Sequence, residues 1–212
     1  MKKFTTFAAT IAASLFPALA LAHHPLGGET PTTMMQGLLS GIGHPVIGLD
    51  HLAFVIAVGI AAALIGARMV LPLVFVAATL AGTGIHLATI DLPAVEPVIA
   101  LSVLLAGGLI AFRTDVPLAV FAALFAIAGL FHGFAYGEAV YGAETTPVVS
   151  YLLGFGVTQY AIALLAGCVV VDCMGKSVAA MNNVPARIAG GMVAGAGALM
   201  VGEKAIGAVF GA

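Results

Sequence analysis

Six long apolar runs constrain this sequence more than any other feature. A run of about 20 apolar residues is long enough to cross the hydrocarbon core of a bilayer as an α-helix. The runs lie near residues 45–66, 69–90, 94–112, 116–136, 148–171 and 187–209. Only 8% of the 212 residues are charged and 62% are hydrophobic, whereas soluble domains carry about 25% charged residues. The sequence therefore predicts an all-α fold, a polytopic membrane helical bundle with about six transmembrane helices.

The first 22 residues have the organisation of a secretory signal peptide. Two lysines precede an apolar core, and Ala20-Leu21-Ala22 fits the small-x-small cleavage rule. We therefore expect cleavage after Ala22, which leaves a single transmembrane helical domain over residues 23–212. The alternative is an uncleaved first helix, which leaves the later topology unchanged.

Charged residues between the helices predict the orientation of the bundle. Basic residues lie in alternate turns, at Arg68, Arg113, Lys176 and Arg187. Acidic residues lie in the other turns, at Asp91, Glu96, Glu138 and Glu144. Because basic loops stay in the cytoplasm, we expect the mature N-terminus to lie on the outer side of the membrane. Lys204 is the exception, since it falls toward the outer side.

Four histidines lie within the predicted helices or at their edges, and the topology places all four in one leaflet: His44, His51, His86 and His132. Ionisable side chains inside membrane helices are rare and usually face a bundle interior or an aqueous cavity. His44 and His51 are seven positions apart, so we expect them to share one helix face. Asp50 points about 100° away from His51. It is expected to orient an imidazole on another helix, or to act as a ligand if the helix is distorted near Pro45.

Imidazole with carboxylate is a ligand set for nickel, zinc, copper, cobalt or iron. The predicted ligands are His44, Asp50, His51 and His132, with His86, Glu138 and the mature N-terminal His23 and His24 as further candidates. No catalytic residues are predicted. His86 and Glu138 are also explained as ordinary residues near the membrane surface. The pair His23-His24 is also explained by coincidence.

Small and polar residues within the helices predict how the helices pack. Small residues four apart let helix backbones approach closely, and they occur at Gly129, Gly133 and Gly137 and at Gly191 and Gly195. Gln159, near the centre of the fifth predicted helix, is expected to form a hydrogen bond between helices.

Two motifs resemble those of the HupE/UreJ family of bacterial nickel permeases. The pattern His-Pro-x-x-Gly-x-Asp-His matches residues 44–51, and the pattern Phe-His-Gly matches residues 131–133. The chain departs from the second motif at Tyr136, where the family pattern has another histidine. The resemblance implies a non-enzymatic permease of the bacterial inner (cytoplasmic) membrane, so that the mature N-terminus is periplasmic. It also implies uptake of nickel for hydrogenase or urease maturation, with cobalt as the nearest substitute. Zinc also fits the donor set.

Other functions stay open at this point. Histidines on different helices also ligate haem iron in membrane electron carriers, and a structural subunit of a larger complex is a further alternative. An intramembrane hydrolase is disfavoured, because the Gly-x-Ser-x-Gly motif is absent. The expected partners are the metal ion and the lipid bilayer. No nucleic-acid partner is predicted, and a homo-oligomer stays open.

Overall fold

The computed structural model describes residues 29–112, 116–173 and 184–210, and only the backbone of residues 171–173. Within these ranges the chain is helical and has no strand. The predicted signal peptide, residues 1–22, and the candidate ligands His23 and His24 lie outside the described residues.

Seven α-helices occur in the described part of the chain. They are α1 Met34–Ile47, α2 Leu49–Leu64, α3 Val70–Leu87, α4 Val95–Phe112, α5 Leu118–Gly137, α6 Thr145–Gly167 and α7 Val184–Phe210. A 3-10 turn, Glu138–Val140, follows α5, and a π-helical turn, Cys168–Cys173, follows α6. Five helices are long and apolar enough to cross a membrane, and α1 with α2 makes a sixth span if this bent pair is counted as one. The predicted membrane bundle is confirmed.

The prediction of one continuous first helix over residues 45–66 is wrong. The chain breaks at Gly48, and α1 and α2 are bent by 78° at that point. Pro45 lies in the last turn of α1, where it removes a backbone donor, and Gly48 then adopts an extended conformation with φ −75° and ψ 109°. A capping box starts α1, because Thr33 and Gln36 cap each other's backbone N–H groups. The pattern Thr-x-x-Gln before an apolar run was the sequence signal for this helix.

The helix α2 lies at the centre of the bundle. It packs against α3, α4, α6 and α7, and nearly every residue from Phe54 to Leu64 is buried. A helix that is hydrophobic all round is suited to such a position. The other six helices form three closely packed pairs around it, α1 with α6, α3 with α5 and α4 with α7.

Glycines set the closest helix contacts, although not all of them as predicted. On α5, a Cβ at Gly133 would lie 2.0 Å from the backbone oxygen of Thr79 in α3, which confirms close packing there. The same prediction is wrong for Gly191 and Gly195, since a Cβ at either would meet no described atom within 4 Å. The glycines of α7 that contact α4 are Gly190 and Gly197. These two are seven positions apart and therefore share a helix face.

The two ends of the bundle differ in charge. We call the end where α3 and α5 finish and α4 and α6 begin the acidic end; it carries Asp91, Glu96, Glu138 and Glu144. The opposite end is the basic end, and its described basic residues are Arg68 and Arg187. Lys204 of α7 reaches the acidic end and forms an ion pair with Glu96 of α4, which gives the exception in the charge pattern a partner.

Candidate metal site

The break between α1 and α2 brings two histidines together. His44 lies in the last turn of α1 and His51 in the first turn of α2. Both side chains are buried, with 3% and 2% exposure, and their ring centroids are 5.7 Å apart. The prediction that they meet by sharing one helix face is wrong. They meet because the chain turns between them.

The third histidine comes from α5. The Nδ1 atom of His132 lies 2.9 Å from the Nδ1 atom of His51, and its Nε2 atom lies 3.0 Å from the hydroxyl oxygen of Ser102 on α4. The His132 ring is fully buried and stacks on Phe54, with centroids 4.6 Å apart. Both ring nitrogens of His132 are therefore engaged by side chains from other helices.

Asp50 lies beside the residue that follows it in the chain. Its Oδ1 atom accepts a hydrogen bond from the backbone N–H of His51 at 2.8 Å. Its Oδ2 atom lies 4.0 Å from Nε2 of His51, which is too long for a direct hydrogen bond. The carboxylate of Asp50 thus lies beside the His51 imidazole.

Two tyrosines complete the cluster, and neither was among the predicted site residues. The hydroxyl of Tyr151, on α6, donates to the backbone oxygen of Tyr136 at 3.0 Å and lies 2.8 Å from Nδ1 of His44. The ring of Tyr136 contacts both His44 and His51, with centroid distances of 4.7 and 4.3 Å. Its own hydroxyl is buried and has no hydrogen-bond partner among the described atoms.

Among the cluster residues that were not predicted, only Tyr136 has a spacing in the sequence that relates it to a histidine. Tyr136 follows His132 by four positions, so the two share one face of α5. Tyr151 and Ser102 lie on helices that contain no histidine, so no spacing within a helix relates them to one.

The cluster lies inside the acidic half of the bundle and not at its mouth. His132 is five residues from the end of α5, and Tyr151 is six residues from the start of α6. At 1.5 Å per residue these depths are roughly 7 to 9 Å. His44 comes ten residues after the start of α1. The predicted span over residues 45–66 had instead put His44 at the outer end of the first helix.

Two further candidate ligands lie elsewhere. His86, in the last turn of α3, packs against Phe134 and Tyr141 rather than against the three clustered histidines. Its Nδ1 atom is buried without a hydrogen-bond partner among the described atoms. Glu138 is exposed at the start of the 3-10 turn.

The described side chains do not form a complete metal cage. No group of three or more His, Cys, Asp or Glu among them is arranged to hold an ion. The cluster instead holds three buried imidazoles, with a carboxylate beside that of His51. A cation bound there would keep some of its water ligands or take others from nearby oxygens.

The predicted hydrogen bond of Gln159 is confirmed. The hydroxyl oxygen of Thr79, on α3, lies 3.2 Å from Oε1 of Gln159 on α6, and Gln159 is fully buried. This contact links the α3–α5 pair to the helix that carries Tyr151.

Comparison with known proteins gives one relative and one family. The curated Protein HupE of Rhizobium leguminosarum bv. viciae is 35% identical to this chain over 208 residues, which cover 94% of the chain and 100% of that protein. No solved structure matches the chain. A family model described as HupE / UreJ protein matches residues 11–200. Because the family model covers most of the chain and the relative aligns with nearly all of it, the chain belongs to the HupE/UreJ family.

Proposed function

We propose that this protein is an inner-membrane uptake permease for a divalent transition-metal cation, nickel in the first place and cobalt as the nearest substitute. The HupE/UreJ family is a family of nickel/cobalt transporters and not of enzymes. The cation binds at the cluster around His44 and His51, which it reaches from the periplasm through the acidic end.

The separation of the two imidazoles is the observation that carries the proposal. A metal–nitrogen bond of about 2.1 Å puts the ring centroids of two imidazoles on one ion at roughly 4.5 to 6.5 Å. The centroids of His44 and His51 are 5.7 Å apart. Small adjustments of the rings are therefore enough for both to bind one cation.

Hydrogen bonds at His44 support the same assignment. The backbone oxygen of Tyr136 can only accept, so the Tyr151 hydroxyl donates its one proton to it. The hydroxyl oxygen then accepts from Nδ1–H of His44, and the lone pair of a neutral His44 lies on Nε2. Metal-binding histidines commonly donate their other nitrogen to a protein group in this way.

The position of Asp50 suits a ligand shared with His51. An ion bonded at about 2.1 Å to one nitrogen and one oxygen holds these atoms roughly 3.0 to 4.2 Å apart, depending on the bond angle. Oδ2 of Asp50 lies 4.0 Å from Nε2 of His51. The carboxylate also supplies negative charge in a site that is otherwise neutral.

The ligands that the described residues offer agree with transport. A conducted ion must bind well enough to enter and weakly enough to leave, and a site of two imidazoles and one carboxylate satisfies both conditions better than a closed cage. An inside-negative potential of 100 mV favours inward movement by about 2.3 kcal/mol per charge. A divalent cation therefore needs no hydrolysed fuel for inward accumulation.

Uptake of radiolabelled nickel and cobalt by cells that express single variants tests the proposal. We expect His44→Ala and His51→Ala to abolish uptake, because each removes an imidazole ligand. His86→Ala is the matched control and should retain uptake, since His86 packs away from the cluster. Membrane levels of all three variants must be equal for the comparison.

Normal uptake by His51→Ala would contradict the proposal. Purified protein gives a second readout, since metal analysis should find nickel bound to wild type and to His86→Ala but not to His51→Ala. A Soret absorption band in the purified protein would favour the haem-binding alternative instead.

A further inference from the structure

We propose that Ser102 is a positioning residue of the metal site: it fixes the proton positions of His132 and His51 so that His51 presents Nε2 to the cation. This inference rests on the proposed function, whose site it describes in more detail. Ser102 is 4% exposed and lies on α4, a helix that carries none of the predicted ligands.

The argument starts at the backbone oxygen of Ile99. The Ser102 hydroxyl lies 2.7 Å from this oxygen, which is one helical turn earlier in α4. A carbonyl oxygen can only accept a hydrogen bond, and a serine hydroxyl has one proton to donate. That proton therefore points to Ile99, and the Ser102 oxygen is left as an acceptor.

The next step places the proton of His132. Its Nε2 atom lies 3.0 Å from the Ser102 oxygen, so Nε2 carries the hydrogen and donates. The ring is fully buried between Phe54 and Phe75, and such apolar surroundings favour the neutral imidazole. A neutral imidazole has one N–H group, so Nδ1 of His132 is an acceptor.

The final step concerns His51. Its Nδ1 atom lies 2.9 Å from Nδ1 of His132, and two acceptors cannot form a hydrogen bond with each other. His51 therefore donates from Nδ1, and its lone pair lies on Nε2, the nitrogen that faces Oδ2 of Asp50 at 4.0 Å. His44 reaches the same state through Tyr151, so both imidazoles present Nε2.

The hydrogen bonds also change the role predicted for His132. Because both of its nitrogens are engaged, His132 acts on the cation through His51 and not as a direct ligand. Without the Ser102 hydroxyl, Nε2–H of His132 would be a buried donor without an acceptor, which costs about 1 to 3 kcal/mol. The proton is then better placed on Nδ1 of His132, which moves the proton of His51 to Nε2 and blocks the metal.

Threonine and valine at position 102 give a matched test, because the two side chains have nearly the same shape and only threonine has a hydroxyl. We expect Ser102→Val to raise the nickel concentration needed for half-maximal uptake by about 10- to 100-fold, which is the usual effect of removing a group that orients a metal-binding histidine. Ser102→Thr should stay close to wild type. Equal loss in both variants would indicate a role for side-chain volume alone and would overturn the proposal.

Nitrogen-15 spectra of histidine-labelled protein without metal test the proton positions directly. We expect wild type to show His51 protonated at Nδ1 and His132 at Nε2, and Ser102→Val to show the reverse. Ser102→Ala, which adds no volume, should show the same exchange if the valine variant folds poorly. Identical spectra for wild type and Ser102→Ala would overturn the proposal.

The two readouts separate this inference from the proposed function. If the exchange of protons is observed but wild type neither binds nor takes up nickel or cobalt, the metal function fails and the role of Ser102 in fixing the protons stands. If nickel uptake is normal in wild type and in Ser102→Ala, the proposed function stands and the role of Ser102 fails.

Discussion

Two buried tyrosine hydroxyls in the proposed metal site differ in their surroundings. The hydroxyl of Tyr151 has two partners, Nδ1 of His44 and the backbone oxygen of Tyr136, whereas that of Tyr136 has none among the described atoms. A buried polar group without a partner is unfavourable and in native structures often marks a place for water or an ion. The ring of Tyr136 lies against both proposed imidazole ligands, so its hydroxyl is well placed to contact a hydrated cation.

At the residue scale we therefore predict opposite effects on stability for two phenylalanine variants. Tyr136→Phe should leave the thermal stability of the purified protein unchanged or raise it, and should weaken nickel uptake. Tyr151→Phe should lower the free energy of unfolding by about 0.5 to 1.5 kcal/mol, the usual value of a buried hydrogen bond. Thermal melting in detergent measures the stability of both variants. Equal destabilisation by the two substitutions would contradict the difference that we infer between the two hydroxyls.

At the scale of the element, the break between α1 and α2 brings Gly48 close to the side chains of the proposed ligands. A Cβ at Gly48 would lie 2.7 Å from Cδ2 of His51 and 3.0 Å from Oδ1 of Asp50. The backbone of Gly48 is extended, so alanine fits its φ and ψ angles and the conflict is with the metal site alone. The His51 ring cannot move aside without losing its contact with His132.

We predict that Gly48→Ala folds and reaches the membrane but binds nickel about tenfold more weakly, because the His51 ring is displaced. Gly191→Ala is the control, since a Cβ there meets no described atom within 4 Å. Calorimetric titration of the purified variants with nickel measures the affinities. Wild-type affinity in Gly48→Ala would contradict this prediction, because it would show that nickel binding tolerates displacement of the His51 ring.

At the scale of the whole molecule, the acidic end is proposed to face the periplasm. Single cysteines report this orientation in a background without Cys168 and Cys173. Glu144→Cys places a thiol at the acidic end, where the native side chain is exposed and forms no helix-cap hydrogen bond. Met69→Cys places one in the exposed α2–α3 turn at the basic end. The reagent is a maleimide that cannot cross the inner membrane, used on cells with a permeable outer membrane. It should label position 144 in intact cells and position 69 only after lysis. The reverse pattern would contradict the proposed orientation.

The sequence predicts a helix correctly where the hydropathy of its residues is enough to define it. The third span was predicted over residues 94–112 and forms α4, Val95–Phe112, because a straight apolar helix is defined by its composition alone. The prediction of the first span was wrong, because Gly48 is apolar enough to continue a hydrophobic run although its backbone is not helical. His132 was found because histidine is rare in such segments, whereas Ser102, a common residue in membrane helices, was overlooked.

The amino-acid sequence alone determined that this chain is a helical membrane protein with histidines in one half of the bundle, since apolar stretches in lipid must satisfy their backbone hydrogen bonds within helices. The tertiary structure decided which groups surround each ring nitrogen of those histidines, and with them the atoms that we propose to meet a cation. The placement of each proton depends on side chains from other helices, such as Ser102 on α4 and Tyr151 on α6. These residues become neighbours of the histidines only when the helices pack, so no local sequence pattern records the contact.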